Sequence, residues 1–406
     1  MSSGSKKRRT ESEGDVEKEL LDALIQICAD MNDSSIILTP LKIECCNATS
    51  SHAASFSKAF CDTKPYDTRV LFGDVFRNGI SILRDFEVSK KIPKEKQTLF
   101  VFNKLMDLLK GDRRLNLSDP LKFRSMSGTE LTVLVANHLL GKLATSSCYL
   151  VDKNCNGKKG DQCFCGEDSC TMTGTYGDTS IGNPEVWHGN LDIIINNDLA
   201  VESLDEQADN PETPGEKSPV EMKMTASLIE TSQLIAQTIV FSFLQKKRHP
   251  NRDHFLTPCI GIGSSELIVM LYDSEHDVLL ESSTIPLFEN ELSCRFSYCA
   301  ILVCWLTVNY KHFCSGLTER YKMFKSNFCN LAREKINVYE EKLQFRNVKS
   351  SDFPKLTLID PPVKVKAYIS SFMHETHKML FNNYAKVNKS DEESSNEINE
   401  SDSAGS

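Results

Sequence analysis

A single carboxylate set beside a run of isoleucines constrains this chain more than any other feature. In Leu191-Asp192-Ile193-Ile194-Ile195 the β-branched residues favour a buried strand. An ionised carboxylate in such a strand is costly unless it is paired or bound to a cation. That cost singles out Asp192.

The surrounding pattern supplies the rest of an α/β core. Leu131, Val133, Leu134, Val135, Leu139 and Leu140 predict a helix from Ser127, apolar on more than one side and closing at Gly141. Val186 to Asn196 and Leu199 to Glu202 read as strands around the turn-forming pair Asn197-Asp198. Pro219 opens a short strand, Val220 to Met224. Ser227 with Glu230 then gives a capping-box signature for a helix reaching about Lys247, stopped by His249-Pro250. Cys259 to Ile262 is a further strand, and Leu267 to Tyr272 pairs through Asp273 to Asp277 with Val278 to Glu281.

Within Val220-Glu221-Met222-Lys223-Met224 a period of two places Glu221 and Lys223 on one face and the apolar residues on the other. Glu221 would offer a hard oxygen ligand with a cation beside it. Packed next to the Asp192 strand, it would complete the pair of carboxylates that holds a hydrated divalent ion. Gln233 and Gln237 lie one turn apart on the following helix and so share a face.

Asp192 followed by Glu221-Met222-Lys223 resembles the motif of the PD-(D/E)XK nucleases, in which an acid, a variable gap, and then Glu or Asp, any residue and Lys form the site. The flanking elements match in order: a preceding helix with Glu130, Gly189 just before the first acid, and a following helix with Gln233 and Gln237. The likeness spans residues 125–285 and is nearest to the RecB and lambda-exonuclease-like branch. It implies a small mixed β-sheet flanked by helices, a restriction-endonuclease-like core. It further implies that Asp192, Glu221 and the Met222 carbonyl hold Mg²⁺ or Mn²⁺, that Glu130 completes the shell, and that Lys223 orients or activates water. Gln233 and Gln237 would position the site or contact the strand. The implied function is metal-dependent hydrolysis of phosphodiester bonds, with DNA as the expected partner. The alternative is a catalytically inactive nuclease-like domain serving as a nucleic-acid or protein interaction module. The same residues also fit a plainer pattern, with Glu221 and Lys223 a surface pair on an edge strand, Asp192 a carboxylate near a turn and the glutamines a polar helix stripe.

Composition bounds these readings. With 406 residues, 40% hydrophobic and 25% charged, the chain can build a sizeable core with additions. Its net charge of -9 excludes coating of nucleic acid by bulk electrostatics, though much of the acidity falls between Glu202 and Glu216 and beyond Ser390. The expected organisation is a disordered basic leader (1–14), a helical satellite (15–120) and the core (125–285). The core carries a Cys-rich surface insertion (148–179) and an acidic loop (203–218), and a helical region (286–385) and a disordered acidic tail (386–406) follow it. The satellite helices are expected at Asp15 to Met31 and at Leu99 to Leu109, ending near Gly111, and the C-terminal ones at Leu292 to Leu343 and Val365 to Tyr384.

Scattered through a chain that opens on Lys6-Lys7-Arg8-Arg9 rather than an apolar signal, the 15 cysteines fit an intracellular, reducing setting, and the basic run is compatible with nuclear import. The longest apolar stretch, Ala300 to Val308, is too short to span a membrane and reads as a buried helix. Cys155, Cys163, Cys165 and Cys170, with Cys148 and His188 nearby, can be read as a structural Zn²⁺ site. Their spacing lacks the paired C-x₂-C pattern and favours a cysteine-rich loop. Cys294, Cys299 and Cys304 read as apolar helix residues.

Overall fold

Ile193, Ile194 and Ile195 are all buried, because the strand they form has a covered face on either side. Ile193 and Ile195 point into one apolar cluster and Ile194 into another. The sheet that separates these two clusters organises the molecule. The computed structural model describes residues 36–49, 55–111, 115, 126–155, 162–204, 219–289 and 294–348, with the backbone alone for 219–230. These residues fall in one compact unit.

The strands, in chain order, are β1 (Ile37–Cys46), β2 (Cys61–Pro65), β3 (Val70–Leu71), β4 (Tyr149–Asp152), β5 (Thr175–Gly177), β6 (Ser180–Gly182), β7 (His188–Asn190), β8 (Ile193–Ile195), β9 (Leu199–Ser203), β10 (Leu256–Ile262), β11 (Glu266–Asp273), β12 (Val278–Ser282), β13 (Ile285–Pro286) and β14 (Gln344–Phe345). The longer helices are α1 (Arg77–Ser89), α2 (Lys96–Lys110), α3 (Gly128–Val135), α4 (Pro219–Arg248) and α5 (Tyr298–Val308). The main sheet runs β2-β1-β12-β11-β10-β9-β8-β4-β5, with β3 on β1 and β13 on β11. A smaller sheet holds β14-β6-β7. Pairing is antiparallel except for β9 with β10 and β4 with β5, so the sheet is mixed.

Helices cover both faces. Leu234, Ile235, Ile239, Val240 and Phe243 of α4 pack with Ile194, Ala200, Cys259 and Met270 on one side. Residues of α2, α3 and α5 pack with Ile193, Ile195, Val201 and Ile260 on the other. The expected buried helix at Ala300 to Val308 is α5, whose Trp305 donates its indole N–H to the Val101 carbonyl at 2.8 Å. No helix among the described residues is long and apolar enough to cross a membrane.

Several expectations are corrected. The region 15–120 is not purely helical, since Leu38 to Leu41 of β1 pair with Leu279 to Ser282 of β12 and bring its first strand into the main sheet. Apolar residues on both faces of that strand, Leu38 in one cluster and Leu41 and Ile43 in the other, reward sheet insertion. The segment 148–179 is not only a surface insertion: Tyr149 and Val151 are buried, and β4 and β5 extend the sheet. Val186 to Asn196 is broken into β7 and β8, which lie in different sheets. Within β7, just before the break, Gly189 adopts φ 148° with Phe56 3.1 Å from where a Cβ would sit, so only glycine suits it. The expected long C-terminal helix is interrupted after α5 and a short turn, Tyr310–Phe313, where Gly316 takes φ 71°. Helix resumes only at Phe328–Ala332. The Asp15 to Met31 and Val365 to Tyr384 helices, the basic leader, the acidic tail and most of the acidic loop lie outside the described residues.

The expected strand at Val220 to Met224 lies instead within α4, which begins at Pro219 rather than near Ser227. Proline suits the first helical position, and Glu, Met, Lys and Ala are strong helix formers, so propensity here outweighs a five-residue alternation.

The β8–β9 hairpin forms as expected, its turn one residue earlier. Asn196 and Asn197 take φ 53° and 60°, and the Asp198 N–H donates to the Ile195 carbonyl at 3.0 Å. Replacing Asn197 by Val should cost about 1–2 kcal/mol, because a β-branched residue tolerates this conformation poorly, whereas Asn197→Gly should leave stability near wild type. Chemical denaturation of both variants tests this, and equal effects of Val and Gly would contradict it.

Candidate functional site

Strand alternation decides which side chains meet. Ile194 and Ala200 face α4, so Asp192 and Glu202, each two residues away, face it too. The hairpin pairs Ile193 with Val201, and one step further along the same register sets Asp192 opposite Glu202. The Asp192 backbone N–H donates to Glu202 Oε2 at 3.0 Å, and Asp192 Oδ2 accepts the Ser203 N–H at 2.9 Å. Two carboxylates thus sit side by side at the open end of the hairpin.

From α4, Gln233 Nε2 donates to Glu202 Oε1 at 2.5 Å. Gln237, fully buried one turn later, lies near enough to favour the ionised form of Glu202, yet by hydrogen-bond geometry neither of its amide atoms has a partner among the described residues. An orphaned amide costs roughly 1–3 kcal/mol and calls for an explanation. Asp152, at the end of β4, is tied in through its N–H to the Asp192 carbonyl at 2.9 Å, while its carboxylate accepts the Asn190 amide at 3.0 Å on each oxygen.

Electrostatics follow from this crowding. Burial first, and then the charge of Asp152, push Asp192 up to about 6 against the pull of the Ser203 N–H. Burial and the neighbouring Asp192 raise Glu202 well above the usual carboxylate range. The Cys155 thiol, driven by burial and then by Asp192, Asp152 and Glu130, rises to about 11. Three carboxylates therefore act on one half-buried thiol. Glu130 also completes a capping box with Ser127, whose N–H donates to Glu130 Oε2 at 3.0 Å.

Among the residues expected from the sequence, Asp192, Gln233 and Gln237 come together, whereas the Glu130 carboxylate is taken up by its capping box with Ser127. Glu221, Met222 and Lys223 occupy the first turns of α4, and their side chains lie outside the described residues. Lys223 precedes Gln233 by ten residues on a continuous helix, a rise of about 15 Å along the axis, so α4 does not carry Glu221 and Lys223 to Gln233. The acid that the hairpin sets beside Asp192 is Glu202. A charged residue at the end of Leu199-Ala200-Val201 was the available signal, obscured by the acidic stretch that follows it.

No family model, curated protein or solved structure matches this chain. The site's chemistry therefore rests on its own geometry. Mutually repelling carboxylates, Glu202 buried and Asp192 half-buried, with hard oxygen donors and glutamine supports suit a small divalent cation.

A carboxyl whose pKa is higher folded than unfolded binds its proton more tightly in the fold. Its stabilising effect is present at acid pH and lost as pH rises from about 4, the unfolded value, to about 6. In the absence of divalent cations, stability measured from pH 4 to pH 6 should fall more for wild type than for Asp192→Asn. Parallel curves would show that Asp192 is not strained by its surroundings.

Proposed function

We propose that this chain is a divalent-cation-dependent nuclease with a PD-(D/E)XK-like core, in which Asp192 and Glu202 are the paired acids. The observation that carries the reading is the juxtaposition of these carboxylates across the β8–β9 hairpin, with Gln233 bonded to Glu202. The order α3, β4, β8, β9, α4, β10 adds support, since it sets a mixed sheet between helices and brings a glutamine-bearing helix against the acids.

The residues fit Mg²⁺ or Mn²⁺. Asp192 and Glu202 would be the protein ligands, Asp152 a nearby acid for its water shell, and the buried Gln237 amide a partner for a ligand or water. When bound, the cation supplies a more acidic water and charge stabilisation at phosphate. Gln233 holds the Glu202 carboxylate in place, and the Ser203 N–H fixes Asp192. DNA is the proposed substrate, reached without a membrane association.

One observation favours a second reading, an inactive nuclease-like module that binds nucleic acid or protein. Glu202-Ser203-Leu204 has leucine where the motif has lysine, and Leu204 packs against the α4-side cluster. Purified protein with Mg²⁺ or Mn²⁺ should nick or degrade DNA, and Asp192→Ala and Glu202→Ala should each reduce the rate by ~10²-fold or more without unfolding the protein. Lys223→Ala distinguishes a contribution of that side chain. DNA binding without cleavage, unaffected by these changes, would favour the inactive module.

A further inference from the structure

A second cluster lies away from the paired acids, on the face of the sheet covered by α3. His138 Nε2 and the Sγ atoms of Cys163, Cys165 and Cys170 all lie within 4.8 Å of one another. His138 Nε2 is 3.1 Å from Cys163 Sγ and 3.6 Å from Cys170 Sγ. A tetrahedral zinc ion with Zn–S of ~2.3 Å and Zn–N of ~2.0–2.1 Å sets nitrogen and sulfur about 3.5 Å apart. We propose that this chain carries a structural zinc site with His138, Cys163, Cys165 and Cys170 as its four ligands.

Local structure is shaped to converge these groups. The three cysteines lie on one tight loop closed by a bridge between Gln162 and Thr171. Within it the Cys163 N–H donates to the Cys170 carbonyl at 3.3 Å, the Gly166 N–H to Cys163 at 3.3 Å and the Cys170 N–H to Glu167 at 3.0 Å. Gly166 takes φ 80°, the conformation that turns the loop back. The histidine comes from outside the loop. It lies in the widened turn Ala136–Leu140 that continues α3, a type of helical defect common at functional sites.

Supporting groups match thiolates. Asn137 Nδ2 reaches Cys163 Sγ at 3.4 Å and Cys170 Sγ at 3.7 Å. The orientation of that amide is fixed by its other end, where Oδ1 accepts the Tyr149 hydroxyl at 3.0 Å and the Thr173 N–H at 3.1 Å. Outer-shell donors of this kind orient ligands and offset their charge. No disulfide joins any described cysteine, so the three thiols are available to a metal. Thiolates with one imidazole select zinc over Mg²⁺ or Ca²⁺, and four protein donors close the shell, which makes the site structural rather than catalytic. A cleft of about 160 Å³ lined by His138, Lys142, Cys170 and Thr173 gives an entry path from one side.

The site explains why an aperiodic, Cys-rich segment is built into the sheet. Zinc would pin it to α3 beside β4, the strand that ends at Asp152 and pairs with β8. Cys148, Cys155 and His188, which the sequence also offered for such a site, are outside the cluster.

Full-length protein purified under reducing conditions without chelator should hold about one zinc per chain by mass spectrometry of metals. His138→Ala and Cys163→Ser combined with Cys170→Ser should lose it and melt at lower temperature, while Cys148→Ser keeps it. If those variants do not fold, Co²⁺ titrated into zinc-stripped wild type decides. Thiolate-to-cobalt charge transfer with strong tetrahedral bands supports the site, and weak octahedral bands alone overturn it. The oxygen-only acidic site gives no thiolate band, so its failure and this one are separable. Zinc retained in full by both variants, or none after isolation and reconstitution, also overturns the proposal.

Discussion

The structure turns on two carboxylates held side by side, Glu202 buried and Asp192 half-buried. Asp192 and Glu202 meet because a tight hairpin puts them in register and strand alternation points both at α4. Like charges at this separation oppose one another, and burial weakens the ionised form of each. Folding tolerates the arrangement because the hairpin is paid for elsewhere, by isoleucine and valine side chains packed on both faces of the sheet. On the proposed reading, a divalent cation would relieve that repulsion.

The remaining architecture serves that constraint. α4 lies along the sheet with apolar residues toward Ile194, Ala200 and Met270, and this packing delivers Gln233 and Gln237 to Glu202. β4 closes the other flank, where Asp152 binds Asn190 and the Asp192 backbone. The Cys-rich segment reaches the same flank through β4 and β5, so the proposed zinc site would stiffen one wall of the acidic site without touching it.

Much of the core was legible in the sequence. The isoleucine run, the asparagine-rich turn and the paired strands β11 and β12 each depend on local pattern, and Asp192 stood out by the cost of its position. Gln233 and Gln237 were legible by helical spacing. Glu202 was not singled out as a site residue, because the more conspicuous Glu221-Met222-Lys223 lay nearby and a five-residue alternation fits a helix as well as a strand. β1 was unreadable for a different reason: its partner, β12, lies more than two hundred residues away, and no local pattern encodes that pairing. His138 escaped likewise, since its relation to Cys163, Cys165 and Cys170 exists only after α3 packs against the loop.

The central claim is that Asp192 and Glu202 share one divalent cation. Anomalous diffraction from crystals grown with Mn²⁺ tests it most directly. The account predicts a manganese peak bonded to a carboxylate oxygen of each residue, lost in a Glu202→Gln crystal. A fully occupied peak elsewhere, or none at a concentration that supports cleavage of DNA, would contradict it.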